Sequence, residues 1–333
     1  MMSFDVSLNW TILLPPGLPC AKKAAEDLAV YIAVLNGSQK PLPLINAHEG
    51  QIDAETAVIV LNSYNREPQQ NGFSWRAGKE RVEIFGESER GLCNGIYSFL
   101  AALGISWPVS GQEKLPLPKN CLFPLAVSSV HEPSLPLRRL VIQGKKPLKN
   151  LLKNSNGFAA WAARQRYDAV VVPLTAFASG TARLKLKQFR QFALEYGISL
   201  EAGGRDLSSL LPRKLFFFHK DFFRMEEGKR KNDCHFCPTN TGAIARIGIE
   251  AEKLFRAAEG INTFHLWPCK EAWCSCPSCR AFTAAEQNRI AVNIAADILA
   301  AVNPAAVITY FEKSGEEANI PLRKNLVRME ELP

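Results

Sequence analysis

The first third of the chain alternates amphipathic stretches with short apolar runs, a pattern typical of a small α/β unit. Residues 21–37 carry apolar positions on one helical face, and Gly37 is suited to end that helix. The β-branched run 57–63 and the alternating run 81–86 predict strands. Ser88 can cap a second helix, which Gly104 would end. These patterns predict an N-terminal α/β domain over residues 1–125.

Beyond residue 137, apolar strand-like runs alternate with helix-like stretches. The predicted strands are 137–144, 168–174, 197–204, 261–268 and 306–312, and the predicted helices are 151–165, 184–197, 240–260 and 284–302. Such alternation predicts a parallel sheet, either open and doubly wound or closed as a (β/α)₈ barrel. The residues at the strand ends favour the barrel. We therefore expect a TIM-barrel-like domain over residues 138–333, truncated after five or six strands, with completion of its sheet in a homo-oligomer as one alternative.

The segment 108–137 is rich in proline and serine, which predicts an inter-domain linker on the surface. Overall the chain has 333 residues, 47% of them hydrophobic and 22% charged, which is ordinary for a globular protein. No stretch approaches the roughly 20 apolar residues of a membrane helix. The N-terminus lacks a basic stretch followed by an apolar one, so a cytoplasmic protein with no signal peptide is expected.

The net charge of +8 is concentrated in one part of the chain. Between residues 138 and 200, twelve lysines and arginines are opposed only by Asp168 and Glu195. The ordinary interpretation is a set of solvated helix faces. An acidic ligand such as a uronic acid, or a nucleic-acid backbone, is the alternative.

Carboxylates and aromatic residues collect where the predicted strands end, which is where parallel α/β folds place their function. The third, fourth and fifth strands of the second domain lead to Glu201 and Arg205, to His265, Trp267 and Glu271, and to Tyr310 and Glu312. Aromatic faces stack on sugars, and paired carboxylates cleave glycosidic bonds. The alternative is that the aromatic residues cap the core and that the acids are merely solvated.

We predict Glu271 as the general acid of this site, with Glu201 or Glu312 as its partner carboxylate. The aromatic and polar residues would bind the sugar, with Arg205 contacting a carboxylate or a hydroxyl. This substrate-binding set is His265, Trp267, Arg205 and Tyr310.

Six of the nine cysteines lie between residues 234 and 279. Cys274, Cys276 and Cys279 form a C-x-C-x₂-C motif, whose three thiolates can converge on a tetrahedral zinc when a fourth ligand joins them. Candidates for that ligand are Cys237, Cys234, His235 and Cys269. A zinc with four protein ligands is structural, since a catalytic zinc keeps one position open. Buried free thiols, a redox pair at Cys276 and Cys279, or a DNA-binding zinc ribbon are the alternatives.

Two parts of the sequence resemble known families. The pattern AEDLAVYI…LNG followed by ERGLCNGIYSFLAALGISWP resembles the non-catalytic N-terminal domain of alpha-glucuronidases and family 20 hexosaminidases. The run LEAGGRDLSS…FCPTN…FHLWP…WCSCPSC resembles the barrel of the family called domain of unknown function 4838, whose members are similar to glycoside hydrolases. The second resemblance also favours Cys237 as the fourth zinc ligand.

The resemblance implies a carbohydrate-active protein. We expect a glycoside hydrolase-like enzyme that uses carboxylates as acid and base on an oligosaccharide or a uronic-acid-containing glycan. Two positions depart from the family pattern, because Arg205 replaces an expected histidine and Cys269-Lys270 replaces an expected acid. These departures favour the alternative, a non-catalytic carbohydrate-binding or scaffold protein with a structural zinc. A zinc-dependent nucleic-acid binder is the third hypothesis, and a nucleic-acid partner is the least expected.

Overall fold

The structure is a computed structural model of the chain. It describes residues 2–46, 56–64, 71–116, 122–135, 137–205, 207–312 and 318–329. The chain divides into two compact units. The first comprises Met1–Leu140, Asn150–Val170 and Gln188–Ser199, and the second comprises Val141–Lys149, Val171–Lys187 and Leu200–Pro333.

The first unit is built on a mixed sheet in which the strand order is β3-β2-β4-β6-β5-β8. The strands of this part of the chain are β1 (Met2–Asp5), β2 (Trp10–Leu14), β3 (Leu44–Asn46), β4 (Ala57–Ser63), β5 (Phe73–Ala77), β6 (Arg81–Gly86), β7 (Leu122–Leu125) and β8 (Ser129–Glu132). Strands β2, β3, β4 and β6 pair in parallel, and β5 runs antiparallel to both β6 and β8. Strand β1 pairs with β7 in a separate antiparallel ribbon. The predicted linker thus contributes two strands.

Helices α1 (Pro19–Leu35) and α2 (Glu89–Ala102) pack against each other in the first unit. The Ser88 side chain accepts a hydrogen bond from the Gly91 backbone N–H, which confirms the predicted cap. A Cβ atom at Gly91 would lie 2.3 Å from the Gly72 carbonyl oxygen, and one at Gly95 would lie 2.8 Å from Ile84 Cγ2. The glycines of the ERGLCNG segment therefore allow α2 to pack closely on its surroundings.

The first unit extends beyond residue 137 around a buried ion pair. Arg90 Nε of α2 lies 3.2 Å from Asp168 Oδ1, and the same guanidinium donates to the carbonyl oxygens of Tyr167 and Tyr196. Asp168 also accepts from the Arg138 backbone N–H. A buried charge is stable only when it is paired and hydrogen-bonded, and this network meets that condition.

The second sheet has the strand order β16-β15-β14-β11-β10-β9. The remaining strands are β9 (Arg139–Val141), β10 (Ala169–Val172), β11 (Ser199–Gly204), β12 (Met225–Glu226), β13 (Lys229–Arg230), β14 (Thr263–Leu266), β15 (Val307–Phe311) and β16 (Leu326–Met329). Strands β11, β14, β15 and β16 pair in parallel, and β12 and β13 form a short antiparallel ribbon. Strand β16 belongs to a sixth unit, within the range of five or six strands predicted for this domain.

In the described part of the chain, three of the remaining five helices begin at side-chain caps, which Asn154, Asn240 and Thr283 provide. The five helices are α3 (Lys145–Lys153), α4 (Ser155–Arg164), α5 (Gly180–Glu195), α6 (Thr241–Ala257) and α7 (Ala284–Val302), with short 3₁₀ helices at Leu174–Ala178, Leu207–Leu210, Arg213–Phe217, Lys220–Phe222 and Cys279–Ala281. The helix predicted over residues 151–165 is divided, because the Asn154 side chain caps α4. The predicted capping box of Thr283 and Glu286 is present at α7.

These elements confirm the predicted fold class, an α/β unit together with a partial parallel barrel. Among the described residues, no helix has the length and apolar character needed to cross a membrane.

Candidate functional site

One face of the second sheet carries a row of polar side chains near the carboxyl ends of β11, β14 and β15. His265 of β14 pairs with Gly203 of β11 on one side and with Thr309 of β15 on the other. Because side chains alternate along a strand, Glu201 shares this face. The opposite face packs on α6, where the Phe264 and Phe255 rings lie 5.0 Å apart. The polar row therefore lies on the face of the sheet that turns away from α6.

Four of these side chains form a hydrogen-bonded array, which we call the Glu201 array (Glu201, His265, Trp267 and Thr309). His265 Nε2 lies 2.7 Å from Glu201 Oε2, and His265 Nδ1 lies 2.6 Å from Thr309 Oγ1. Trp267 Nε1 donates to the same Thr309 oxygen over 3.2 Å. His265 is 0% exposed and Glu201 is 4% exposed. The sheet thus brings together Glu201, His265 and Trp267, three of the residues predicted from the sequence.

The three hydrogen bonds of the array can all form at once with the following arrangement of protons. Thr309 Oγ1 accepts the Trp267 N–H and uses its own hydrogen to donate to His265 Nδ1. The imidazole then carries its proton on Nε2 and donates it to the Glu201 carboxylate. With this tautomer each of the three hydrogen bonds has one donor and one acceptor.

The glycines of the EAGG segment allow the strands to meet at this site. Gly203 has a φ of +117°, and a Cβ atom there would lie 2.0 Å from the His265 carbonyl oxygen. Gly204 also has a positive φ, and its carbonyl oxygen accepts a hydrogen bond from the backbone N–H of Trp267 over 2.9 Å. A side chain at Gly203 would force β14 away from β11 and would separate His265 from Glu201.

Aromatic rings border the array on its exposed side. The half-buried Trp267 ring lies 5.1 Å from the His265 ring and 4.9 Å from the Phe311 ring. Because its N–H is held by Thr309, the indole has a fixed orientation. A flat, partly exposed indole of this kind is suited to stack on the apolar face of a sugar.

Tyr310 and Glu312 lie on the face of β15 and its continuation that is opposite to the face of Thr309, because side chains alternate along a strand. Tyr310 is buried, burial raises the pKa of its hydroxyl, and that oxygen has no hydrogen-bond partner among the described residues. Glu312 forms a two-pronged ion pair with Arg289 of α7, with contacts of 2.6 Å and 3.0 Å, and lies 3.7 Å from Arg328. Neither residue takes part in the Glu201 array.

The other two predicted residues lie on loops. Arg205 is exposed directly after β11, and its neighbour Asp206 lies outside the described residues. Glu271 is exposed, and its Oε2 atom lies 3.1 Å from Cys234 Sγ. The structure therefore places the predicted general acid beside a pair of cysteines rather than in the array.

The four cysteines predicted to bind zinc converge in the core of the second unit. Cys237, Cys274, Cys276 and Cys279 are all buried, and their sulfur atoms lie within 4.8 Å of one another. Cys237 Sγ lies 3.7 Å from Cys276 Sγ and 3.6 Å from Cys279 Sγ. A tetrahedral zinc with Zn–S bonds of about 2.3 Å separates its sulfurs by about 3.8 Å. This cluster of four cysteines has the composition and the spacing to hold a metal ion.

Neighbouring groups are arranged to stabilise thiolates in this cluster. The Met225 backbone N–H donates to Cys274 Sγ over 3.2 Å, and the Arg230 guanidinium lies 3.9 Å from the same sulfur. Hydrogen bonding among the thiols lowers the pKa of Cys237 and raises the pKa values of Cys274 and Cys279, so the first thiolate of the cluster forms on Cys237. The Gln287 amide of α7 holds the loop itself, because it accepts from the Cys274 N–H and donates to the carbonyl oxygens of Cys274, Cys279 and Phe282.

A second group of cysteines lies on the same two segments as the first, one before α6 and one before α7, which we call the cysteine loops. Cys234 and Cys269 are joined by a disulfide, with 6.3 Å between their Cα atoms. The His235 ring is buried, stacks on Trp273 at 4.1 Å, and places Nε2 3.6 Å from Cys269 Sγ and 3.1 Å from the Glu271 carbonyl oxygen. Burial lowers the pKa of His235 to about 4, so the ring is neutral near pH 7.

The basic-aromatic segment 213–231 supports these loops. Arg224 is buried and forms an ion pair with Asp233 at 2.6 Å, while it also donates to the Ala272 carbonyl. The His219 ring stacks on Phe222. Arg224 thus holds together the two segments that carry the cysteines.

Two residues of these sites were missed by the sequence analysis. Thr309 lies inside an apolar strand, and only the pairing of β15 with β14 reveals that it faces His265. Gln287 lies in the first turns of α7, where a glutamine is usually solvated, yet it is buried against the cysteine loop. Its place shortly after the capping box was the one available signal.

No family model matches the sequence, and no curated protein matches it either. Membership of the family called domain of unknown function 4838 therefore stays a prediction.

Solved structures do match the chain. A family 20 exo-β-N-acetylglucosaminidase from Vibrio harveyi, in complex with N-acetylglucosamine, matches 98% of this chain and 54% of its own, with 13% identity and a TM-score of 0.54. The family 20 chitobiase of Flavobacterium johnsoniae matches 98% of this chain and 52% of its own, with 11% identity and a TM-score of 0.55. A glycoside hydrolase family 138 enzyme targeting pectin rhamnogalacturonan II matches 96% and 38%, with 12% identity and a TM-score of 0.56.

The chain thus spans about half the length of the first two of these enzymes. At such low identity the likeness concerns the fold, and it confirms the glycoside hydrolase-like architecture expected from the sequence. The chain shares its fold with glycoside hydrolases of families 20 and 138.

Proposed function

We propose that this protein is a carbohydrate-active protein of the glycoside hydrolase type, and that its sugar site is the sheet face of the Glu201 array. One observation carries the proposal. A carboxylate, a histidine and a fixed indole meet near the carboxyl ends of three parallel strands, in a fold shared with glycoside hydrolases. The carboxyl end of such strands is where this fold class places its chemistry.

In this proposal each residue of the array has a distinct part. Trp267 stacks on the sugar and sets its depth. Glu201 gives a proton to the glycosidic oxygen or takes one from water. His265 is a positioning residue, because its Nε2–H orients the Glu201 carboxylate and its Nδ1 is fixed by Thr309. Glu201 and His265 are almost fully buried, and a site that excludes water favours proton transfer to a bound sugar.

Hydrolysis ordinarily needs a second nucleophilic or basic group. The sequence predicts Glu271 as the general acid, in which case Glu201 would take the part of base or nucleophile. A substrate-assisted route would need only one protein carboxylate, because the acetamido group of an N-acetylhexosamine can attack its own anomeric carbon. The two family 20 enzymes act on such sugars according to their names. N-acetylhexosaminides are therefore the substrate class that we test first, followed by uronides.

A second candidate function is a non-catalytic carbohydrate-binding protein. It is favoured by the place of the other predicted carboxylates, since Glu312 is held by Arg289 and Glu271 lies beside the Cys234–Cys269 disulfide. Such a protein would keep the aromatic wall for binding and would lack paired carboxylates for cleavage.

The test is hydrolysis of aryl N-acetylhexosaminides and aryl uronides by the wild type, Glu201→Gln and Glu271→Gln. The control is Glu259→Gln, which changes an exposed carboxylate at the end of the α6 region. We expect Glu201→Gln to lose at least about 100-fold in kcat and the control to lose nothing. Full activity in Glu201→Gln would reject Glu201 as the acid or base.

Binding separates the two candidates if no substrate is cleaved. Isothermal titration with chito-oligosaccharides and oligouronides, on the wild type and Trp267→Ala, would show saturable binding that the variant loses. Absence of both hydrolysis and binding in folded protein would reject the sugar site.

We further propose that Cys237, Cys274, Cys276 and Cys279 hold a structural zinc. The sulfur spacings, the Met225 N–H and the Arg230 cation support this, and all four positions are filled by protein. Metal analysis of protein purified without added metal should give one zinc per chain, and Cys276→Ser should lose it. The matched control is Cys20→Ser, which changes a free cysteine in the first unit.

A further inference from the structure

Four potential metal ligands meet at the Cys234–Cys269 disulfide. They are the two sulfurs, the imidazole of His235 and the carboxylate of Glu271. We propose that reduction of this disulfide creates a second metal site, formed by Cys234, His235, Cys269 and Glu271, which binds a thiophilic divalent cation such as zinc. The inference concerns a site separate from the Glu201 array and from the cluster of four cysteines, and it does not rest on the proposed function.

The ligand atoms already converge. The sulfurs of Cys234 and Cys269 and a ring nitrogen of His235 lie within 4.8 Å of one another. His235 Nε2 lies 3.6 Å from Cys269 Sγ, and Glu271 Oε2 lies 3.1 Å from Cys234 Sγ. On a tetrahedral zinc, sulfur and nitrogen ligands are separated by about 3.6 Å, given bonds of about 2.3 Å and 2.0 Å. When the S–S bond is broken, the two sulfurs need to move apart, and the exposed Glu271 side chain needs to turn from Cys234 toward the metal.

The histidine is positioned as a ligand would be. Its ring is 1% exposed and stacks on Trp273 at 4.1 Å, so its orientation is fixed. This ring turns Nε2 toward Cys269 and donates from it to the Glu271 carbonyl oxygen, a hydrogen bond that a metal on Nε2 would replace as the ring proton moves to Nδ1. A buried, oriented imidazole beside two cysteines is a donor set that suits zinc.

The carboxylate gives this site a different character from the buried cluster. Glu271 is exposed, and Cys234 and Cys269 are only partly buried. A metal held here would therefore be in contact with solvent through the carboxylate side, and it would exchange more readily than one held by four buried thiolates.

The disulfide and the metal exclude each other. A phosphine reductant takes the oxygen of one water molecule, breaks the S–S bond and leaves two thiols, while the phosphine becomes its oxide. Binding of the cation by two thiolates then releases two protons. In a reducing compartment such as the cytoplasm, where disulfides are rare, the metal-bound form is the expected one.

The test counts zinc per chain in two samples of the full-length protein. One sample has the disulfide intact, as verified by peptide mass, and the other is reduced with a phosphine that is removed before zinc is added. After equilibration with zinc and removal of loosely bound ions, we expect the reduced sample to hold one more zinc per chain than the oxidised sample. Equal zinc content in the two samples would overturn the proposal.

Variants assign the additional zinc. Cys234→Ser and Cys269→Ser should each abolish the difference between the reduced sample and the oxidised wild type, and His235→Phe, which keeps the aromatic stack, should weaken the additional zinc at least tenfold. Glu271→Gln should weaken it less, because water can replace the carboxylate. Cys20→Ser is the matched control and should keep the full difference. An additional zinc that survives Cys234→Ser would overturn the assignment.

The difference in zinc content between the reduced and oxidised samples does not depend on the cluster of four cysteines. If the cluster of four cysteines held no zinc, both samples would lose one equivalent and the difference of one would remain. Circular dichroism of each variant verifies that it is folded before its zinc is counted.

Discussion

His265 Nε2 lies 2.7 Å from Glu201 Oε2, although 64 residues separate the two in the chain. Their meeting depends on the register of two parallel strands and on a glycine that lets those strands approach. A buried carboxylate and a buried imidazole at this distance are hydrogen-bonded, and each fixes the orientation of the other. This relationship is the basis for the first prediction.

Thr309→Val should weaken the array without changing its shape. Valine has nearly the volume of threonine, but it offers no acceptor to the Trp267 N–H and no donor to His265 Nδ1. We expect a loss of about 1–3 kcal/mol in unfolding free energy, because buried polar groups are left unpaired. Urea unfolding measures the loss, and ¹⁵N NMR of the imidazole should show a changed Nδ1 environment. An unchanged imidazole spectrum would contradict the assigned proton arrangement.

Glu312→Gln should affect stability rather than function. Its carboxylate is buried against Arg289, so we expect a loss of roughly 2–4 kcal/mol in unfolding free energy when that guanidinium loses its counter-charge and keeps only its bonds to two backbone carbonyl oxygens. Asp297→Asn is the control, since its ion pair with Arg323 is exposed and screened by solvent. Urea unfolding compares the two variants. A loss of sugar hydrolysis in folded Glu312→Gln protein would instead restore Glu312 as a catalytic carboxylate.

Gly203→Ala should be far more damaging than Gly228→Ala. Both glycines have positive φ, and the backbone penalty for alanine is about 1–2 kcal/mol at Gly228, whose φ of +74° lies near the left-handed helical region. At Gly228 the added Cβ meets open space, whereas at Gly203 it would lie 2.0 Å from the His265 carbonyl oxygen. We expect Gly203→Ala to lower the free energy of unfolding by more than about 4 kcal/mol. Similar melting temperatures for the two variants would contradict the close approach of β11 and β14.

Stability should fall as pH rises above 9, in part because of Cys93. Burial raises the pKa of this thiol from 9.0 to about 12. At pH values between these two pKa values, the unfolded chain releases the Cys93 proton and the folded chain keeps it. The free energy of unfolding therefore falls by up to about 1.4 kcal/mol per pH unit. In Cys93→Ala the slope of unfolding free energy against pH, from 9 to 11, should be smaller. Val82→Ala leaves a buried cavity with no titrating group, and its slope should match that of the wild type.

Gln287→Leu should loosen the proposed zinc. The amide holds three carbonyl oxygens and one N–H of the cysteine loop, and groups that orient ligands are worth about 10–100-fold in metal affinity. Faster transfer of zinc to a chromogenic chelator measures the effect. Gln188→Leu, at an exposed position of α5, is the control and should release zinc at the wild-type rate.

Much of the fold was predictable because local signals agreed with it. Ser88, Thr283 and Glu286 cap their helices as expected, and the apolar runs of the second unit became neighbouring strands. Strands β7 and β8 were hidden by the prolines and serines around them. Strand β7 contains Pro124 and pairs only with β1 in a two-stranded ribbon, and a missing N–H is tolerated at such an edge.

The candidate site was predictable only in part, because a sequence does not reveal which face of a strand is inward. Thr309 and Tyr310 are neighbours, yet one joins the array and the other lies on the helix side. The same parity places Glu312 against Arg289. By contrast, the four cysteines needed only two loops at adjacent strand ends, and their convergence was inferred from spacing and family resemblance.

The Cys234–Cys269 disulfide also closes a ring of chain. Its two cysteines are 35 residues apart, and the segment between them includes the whole of α6 and β14. In the oxidised protein this helix and strand stay within one covalent loop even when all other structure is lost, which reduces the entropy of the unfolded chain by an amount worth about 4 kcal/mol. The strand that carries His265 would then refold from a confined starting ensemble, so oxidation should shorten its search for β11 as well as raise stability.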